Sequence, residues 1–365
     1  MGFSLGIVGL PNVGKSTLFN ALSHAGAEVS NYPFCTKSKN IGIVPVPDER
    51  LSQVQAFMRS PKAIPTVIEF VDIAGLVKNA HSGEGLGNKF LSYVREVDAI
   101  AHVVRCFPDP NVVHVEGSVD PKRDIETINI ELTLADLDTT EKRLSLLKSS
   151  VKSGNKETLK ELLVVEKIKN HLGEGKPLRL MELSDEEKNE TRELHLLTNK
   201  PLIYIANVDE NQLLHPEDAM LQVVSKTAAS EKAEAIAICA KLESDIGELP
   251  PEEANEYEKE TGITELGLEK LITKGYKLLD LITFFTANEK EARAWTVKNG
   301  STLFEAAGRV HTDMQKGFIA AEVIHYGDIL KVKTHADAKE KGLLHLEGKD
   351  HKVLDGDLVY IRFNV

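Results

Sequence analysis

Eight residues near the amino end, Gly9-Leu10-Pro11-Asn12-Val13-Gly14-Lys15-Ser16, have the spacing GxxxxGKS. The chemistry such a segment serves is the holding of a polyphosphate in water. Glycines let backbone N–H groups turn toward an anion without a Cβ in the way, and a helix that follows adds its positive end. Lys15 is then the ammonium that reaches the β- and γ-phosphates, and the Ser16 hydroxyl is a ligand for Mg2+. Asn12, Val13, Gly14 and Thr17 complete the cradle. Further along, the apolar run Thr66–Asp72 ends in a carboxylate and continues Ile73-Ala74-Gly75, a D-x-A-G pattern. An aspartate at a strand end holds Mg2+ through a water, and the Gly75 N–H would sense the γ-phosphate. Between the two lies Asn31-Tyr32-Pro33-Phe34-Cys35-Thr36, a loop whose Thr36 hydroxyl would join the metal when a triphosphate binds. The expected metal set is Ser16, Thr36 and Asp72. Two loops ordered by a γ-phosphate and its metal make a nucleotide switch.

The base is read elsewhere. Guanine readers with this kind of loop use N-K-x-D, in which the aspartate takes the N1–H and 2-amino group and the lysine stem covers the ring. Here the corresponding stretch is Asn207-Val208-Asp209-Glu210. Val208 stands at the lysine position, and Glu210, one methylene longer, stands at the aspartate position. A bidentate grip on guanine is displaced, so discrimination against adenine is lost. Cys239-Ala240-Lys241, after a short apolar run, would line the base. The nucleotide-binding residues expected from sequence are therefore Asn12, Val13, Gly14, Lys15, Ser16, Thr17, Asn207, Val208, Glu210, Cys239, Ala240 and Lys241.

Hydrolysis needs a positioned water. The residue just after D-x-A-G, often a glutamine, is Leu76, which cannot hydrogen-bond. The remaining candidates are His114, His81, His102 and Lys89. His102 sits mid-strand and reads as a packed histidine. His114 lies in a turn-rich stretch, Asp109-Pro110-Asn111-Val112-Val113-His114, and ranks first as the catalytic group. In some NTPases with this kind of loop an asparagine at the place of Asn12 holds a K+ ion beside the phosphates, so K+ is a candidate second ion. Gly83-Glu84-Gly85-Leu86-Gly87-Asn88 reads as a hinge for the second switch segment.

These residues must be positioned by a scaffold. Apolar, β-rich runs at Phe3–Val8, Thr66–Asp72, Ala99–Phe107, Leu202–Ala206 and Ala235–Cys239 alternate with helical stretches, the pattern of an α/β domain with a mostly parallel sheet. From Ile128 to Leu197 leucines recur among Glu, Lys and Asp at helical spacing, which predicts a coiled-coil-like helical hairpin inserted into that domain. Ser184-Asp185-Glu186-Glu187 predicts a helix start. Beyond about Ile282, short β-rich runs at Val323–His325, Ile329–Lys333, Lys352–Leu354 and Leu358–Phe363 predict a small α+β domain. The expected division is 1–127 with 199–281, then 128–198, then 282–365.

Composition bounds the partners. The chain has 365 residues, 42% apolar and 27% charged, with a net charge of −12. Such a balance excludes a polybasic nucleic-acid coat and wholesale disorder. Three scattered cysteines, Cys35, Cys106 and Cys239, make no disulfide framework or cysteine-built zinc site and fit a reducing compartment. The amino end shows no basic leader and no apolar run is long enough to span a bilayer, so the expected place is the cytoplasm, with no membrane partner. Lys331, Lys333, Lys339, Lys341, Lys349 and Lys352, with His335 and His351, offer one candidate basic face.

Taken together, the phosphate loop, NYPFCT, DIAGL and GEGLGNKFL resemble the Obg family of P-loop NTPases, in its Obg-like ATPase (YchF) branch. The resemblance spans essentially the whole chain. Its last part, Gly308–Val323, is similar to a TGS domain, a β-grasp module. The resemblance implies ATP as the preferred ligand with GTP tolerated, Mg2+ as cofactor, and association with the ribosome or a ribosomal subunit and RNA through the TGS-like domain and the hairpin. Three functions are weighed: a slow ATPase switch, a nucleotide-binding regulatory scaffold with negligible turnover, and a guanine-specific ribosome-assembly GTPase.

Overall fold

The computed structural model describes residues 3–25, 40–73, 86–150, 156–250, 252–254, 256–257 and 266–364. In chain order the main elements are β1 (Ser4–Val8), α1 (Lys15–Ala25), β2 (Ile41–Pro45), α2 (Glu49–Met58), β3 (Ala63–Ile64), β4 (Val67–Asp72), α3 (Leu86–Glu96) and β5 (Ala99–Arg105). Then come α4 (Pro121–Ser150), α5 (Lys156–Gly173), β6 (Leu202–Asn207), α6 (Ala219–Ser230), β7 (Glu234–Ile238), α7 (Ala240–Gly247) and α8 (Gly267–Leu278). The chain ends with β8 (Leu281–Ala287), β9 (Ala292–Lys298), α9 (Leu303–Val310), β10 (Phe318–Ile324), β11 (His345–Glu347) and β12 (Leu358–Phe363). The fold divides into two compact units, one of residues 3–42 and 69–271, the other of 43–68 and 272–365.

The first unit is built on a sheet in which β4, β1, β5, β6 and β7 lie side by side, each strand parallel to its neighbours in that order. β2 stands beyond β4 at the edge. All seven residues of β5 and all six of β6 are buried, as a strand covered on both faces requires. β4 lies on one side of β1 and β5 on the other, so the strand order reverses at β1. In open α/β sheets that reversal opens a crevice beyond the carboxyl ends of the strands. Loops after β1, β5, β6 and β7 all arrive there.

The α4–α5 hairpin belongs to the same unit. At 30 residues α4 is about 45 Å long. Its first turns, with Ile125 and Ile128 buried, already cover the sheet, so the helix begins seven residues before the expected start of the insertion. Farther out Leu144 and Leu147 pack on Val165 of α5. Asp136 anchors the helical turn Leu197–Asn199 that leads into β6: its carboxylate accepts from the N–H groups of Leu197 and Thr198 and from the Thr198 hydroxyl, each at 2.7 Å. The helix start expected at Ser184 is present as a capping box, with the Glu187 N–H donating to the Ser184 hydroxyl at 3.2 Å and the Ser184 N–H donating to the Glu187 carboxylate at 2.8 Å.

The second unit carries a six-stranded sheet in the order β11-β10-β12-β8-β9-β3. β8 and β9 are antiparallel, as are β10 and β12, whereas β12 runs parallel to β8. Phe285, Ile324 and Leu358 pack with Leu51 and Val54 of α2 in one core. Phe284, Val323 and Val359 pack with Leu303, Ala306 and Ala307 of α9 in the other. Residues 43–68, expected in the first domain, thus belong to the second unit. The cause is plain: β3 completes the sheet edge beside β9 (Ala63↔Ala292) and α2 supplies one wall of the core. Two of the expected strands also differ. Ile329–Lys333 follows a helical turn (Tyr326–Ile329) instead of forming a strand, and Lys352–Leu354 makes only an isolated bridge from Lys352 to Thr302. Nor do the basic residues expected on one face all stay unpaired. Lys331 binds Asp328 at 2.7 Å, Lys341 binds Asp337 at 3.2 Å and His351 faces Glu347 at 3.1 Å. Among the described residues no helix is long and apolar enough to cross a membrane.

Candidate nucleotide-binding site

A cleft of about 750 Å³ opens in the crevice of the first unit. It is lined by Asn12 and Gly14–Thr17 after β1, by Phe107–Pro110 and Val112 after β5, by Asn207–Asn211 after β6, and by Cys239–Lys241 after β7. Every nucleotide-binding residue expected from sequence lines it except Val13, whose carbonyl is engaged just behind.

The phosphate loop has the backbone its sequence demands. Asn12 has φ +61° and Gly14 has φ +99°, both in the left-handed region. At Gly14 the demand is also spatial, because a Cβ there would meet Asn207 Nδ2 at 2.0 Å. Asn207 is 4% exposed. Its Nδ2 donates to the Val13 carbonyl at 2.8 Å and its Oδ1 accepts from the Ala240 N–H at 3.1 Å. Both ends of the amide are therefore spent on backbone, so Asn207 staples the phosphate loop to the start of α7 and leaves the base to its neighbours.

Lys15 is buried, and its Nζ donates to the carbonyls of Gly9 at 3.0 Å and Leu10 at 2.6 Å. Burial lowers its pKa to about 8, with the Asp72 carboxylate pulling the other way. Asp72 in turn is raised by burial and lowered by Lys15. An ammonium held on neutral carbonyls in a buried position beside the cleft is poised for an anion that would restore its charge balance. Ser16 is exposed at the mouth of the loop. Ser16 and Asp72 offer only hard oxygen donors, which suits Mg2+. No group of three or more His, Cys, Asp or Glu side chains able to hold a metal exists among the described residues. Thr36 and Gly75, with Cys35, Leu76 and His81, lie outside the described residues.

On the base side, the buried Val208 and exposed Glu210 both line the cleft. Asp209 between them caps the short helix that follows, accepting from the Gln212 N–H at 3.0 Å. Asp209 lines the cleft as well but spends its Oδ1 on that cap, and Glu210 is the carboxylate at the fourth position of the motif. Cys239 is buried and its thiol pKa is raised by that burial.

His114 is placed differently from expectation. It is 7% exposed and does not line the cleft. The Glu116 N–H donates to its Nδ1 at 3.1 Å, so the proton sits on Nε2, which faces Asp124 Oδ2 at 2.8 Å. With both ring nitrogens engaged, the imidazole has no site left for a water. His102 is the packed histidine expected: it is 1% exposed, lies 5.2 Å from the Tyr204 ring, and burial lowers its pKa to about 3. Sequence reasoning passed over Asp124 and the Phe107–Val112 wall. The available signal was an arginine closing an otherwise apolar strand, followed by two prolines, Arg105-Cys106-Phe107-Pro108-Asp109-Pro110.

Comparison with known proteins covers the whole chain. Residues 4–170 match the MMR_HSR1 family, described as a 50S ribosome-binding GTPase, and residues 281–364 match the YchF-GTPase_C family. A Bacillus subtilis protein named "Ribosome-binding ATPase YchF" is 50% identical over 366 residues, covering 100% of both chains. A Haemophilus influenzae protein of the same name is 51% identical over 365 residues, again covering 100% of both. The solved structure of the Schizosaccharomyces pombe YchF GTPase superposes with a TM-score of 0.90 at 36% identity, covering 99% of this chain and 98% of that one.

Proposed function

Because the chain belongs to the YchF family of P-loop NTPases, we propose that it binds ATP with Mg2+, hydrolyses it slowly, and uses the bound state to control association with the ribosome in the cytoplasm. The observation that carries this reading is the cleft itself: a GxxxxGKS loop faces N-x-D-E across one crevice, with Val208 where a guanine reader needs lysine. Relatives at about half identity are named ATPases, while the Schizosaccharomyces pombe YchF and the MMR_HSR1 family are described as GTPases. The missing aspartate favours ATP, with GTP as a tolerated ligand.

Each residue then has a task. Phosphate-loop N–H groups and Lys15 hold the β- and γ-phosphates. Ser16, Asp72 and, from the first switch segment, Thr36 hold the metal, which supplies charge neutralisation on the phosphates. Gly75 reports the γ-phosphate. Asn12 keeps its Oδ1 for a K+ ion, since its Nδ2 is the end that donates to the Val113 carbonyl at 3.1 Å. His114 takes up the water only after its segment lets go of Asp124.

Sheltering of His114 and the leucine at position 76 support a second reading, a scaffold governed by occupancy alone. Turnover of ATP and GTP, each with and without ribosomes, separates the two. Slow ATP turnover that rises with ribosomes carries the first reading. Tight binding with no turnover in any of the four conditions carries the second, and faster GTP than ATP turnover overturns the base assignment.

A further inference from the structure

Arg105 closes β5 with its side chain 1% exposed, and none of its described contacts is to a carboxylate. A buried guanidinium without a counter-ion must spend its donors some other way. Here Nε donates to the carbonyl of Phe107 at 3.0 Å, Nη1 to that of Val112 at 2.9 Å and Nη2 to that of Asp109 at 3.2 Å. The group also lies 4.8 Å from the centre of the Phe107 ring. All three carbonyls belong to the segment after β5, residues of which line the cleft together with the β6 and β7 loops. That segment has little to hold itself up with. Pro108 and Pro110 have no N–H, and its own bonds are those of the Val112 N–H to the Asp109 carbonyl at 3.2 Å and of the Asn111 N–H to the Asp109 side chain at 2.8 Å.

We propose that Arg105 is the positioning residue that sets the wall against which the nucleoside part of the ligand lies, and that it contributes nothing to the hold on the phosphates. The inference rests on the nucleotide reading above. The fork of the guanidinium gathers three carbonyls spread over six residues from below, taking the place of a strand partner. The phosphate end has its own supports in the loop after β1 and Asn207, and meets this segment at one point, where the Asn12 Nδ2 donates to the Val113 carbonyl at 3.1 Å. Lysine, with one point of charge, would satisfy one carbonyl at a time and let the wall relax.

The test separates the two ends of the ligand. Calorimetry with Mg-ATP and with Mg-tripolyphosphate is run on the full chain and on Arg105→Lys and Arg105→Gln, the lysine variant keeping the buried charge if the glutamine variant folds poorly. ATP affinity is expected to fall about tenfold to hundredfold, with tripolyphosphate unchanged within about twofold and KM rising more than kcat falls. Equal loss of both ligands would make Arg105 a general structural residue and overturn the proposal, as would unchanged ATP affinity. A wild-type chain that binds neither ligand would instead overturn the nucleotide reading itself.

Discussion

Asn207→Ala tests the staple between the phosphate loop and α7. The amide makes two buried hydrogen bonds, to the Val13 carbonyl and from the Ala240 N–H. Their removal strands one acceptor and one donor away from water, and each costs about 1–3 kcal/mol. Allowing for a water that enters the gap, the loss is about 2–4 kcal/mol in the stability of the first unit. Gly14→Ala makes the structural case sharper. Its methyl would sit 2.0 Å from Asn207 Nδ2 at a residue with φ +99°, so the substitution brings both a clash and backbone strain. In an Asn207→Ala background the clash is gone and only the strain remains. The two substitutions should therefore couple, the double variant being about 1–2 kcal/mol more stable than the sum of the singles requires. Urea unfolding followed by far-ultraviolet circular dichroism is the suitable assay, because the single tryptophan, Trp295, lies in the other unit. ATP titration by calorimetry reads the site in parallel. Additive singles, or an Asn207→Ala chain with unaltered stability and ATP affinity, would refute the reasoning.

Three further outcomes are expected. Lys15 titrates at about 8 when folded against 10.5 as its ordinary value, so between these pH values the unfolded chain holds a proton that the folded chain lacks. Stability rises with pH across that window, and the advantage of Lys15→Met over the ligand-free wild type should shrink by about 3 kcal/mol from pH 8 to 10.5 in urea melts. Leu51→Ala should cost the second unit about 2–4 kcal/mol, seen as a lower midpoint in Trp295 fluorescence. His114→Ala should bind ATP as the wild type does and turn it over about 10²-fold more slowly, whereas unchanged turnover in a steady-state phosphate-release assay would leave water positioning to another group.

The phosphate loop, the parallel sheet and the hairpin were legible because each has a local signature: fixed glycine spacing, mostly apolar runs at β5 and β6, and helical periodicity over α4 and α5. The second unit was read less well. Ile329–Lys333 has β-rich composition, yet Ile329 closes a helical turn and is buried against the core. Residues 43–68 look like any α/β crossover, and only tertiary pairing of Ala63 with Ala292 reveals their allegiance. The turn-rich stretch around His114 suggests a candidate catalytic group, yet its ring is buried. Its burial depends on Asp124, ten residues on, whose orientation is set by packing and carries no sequence mark.

The interleaving of 43–68 with 272–365 bears on how this protein is made. Leu51 and Val54 leave the ribosomal tunnel well before β8 and β12, which they will cover, have been translated. At about 5–20 residues per second, the interval from residue 68 to residue 358 lasts about 15–60 s. During it the apolar side of an amphipathic helix waits without its core, a standing invitation to a chaperone. A nascent chain halted anywhere before β12 would display α2 to whatever binds exposed leucine and valine.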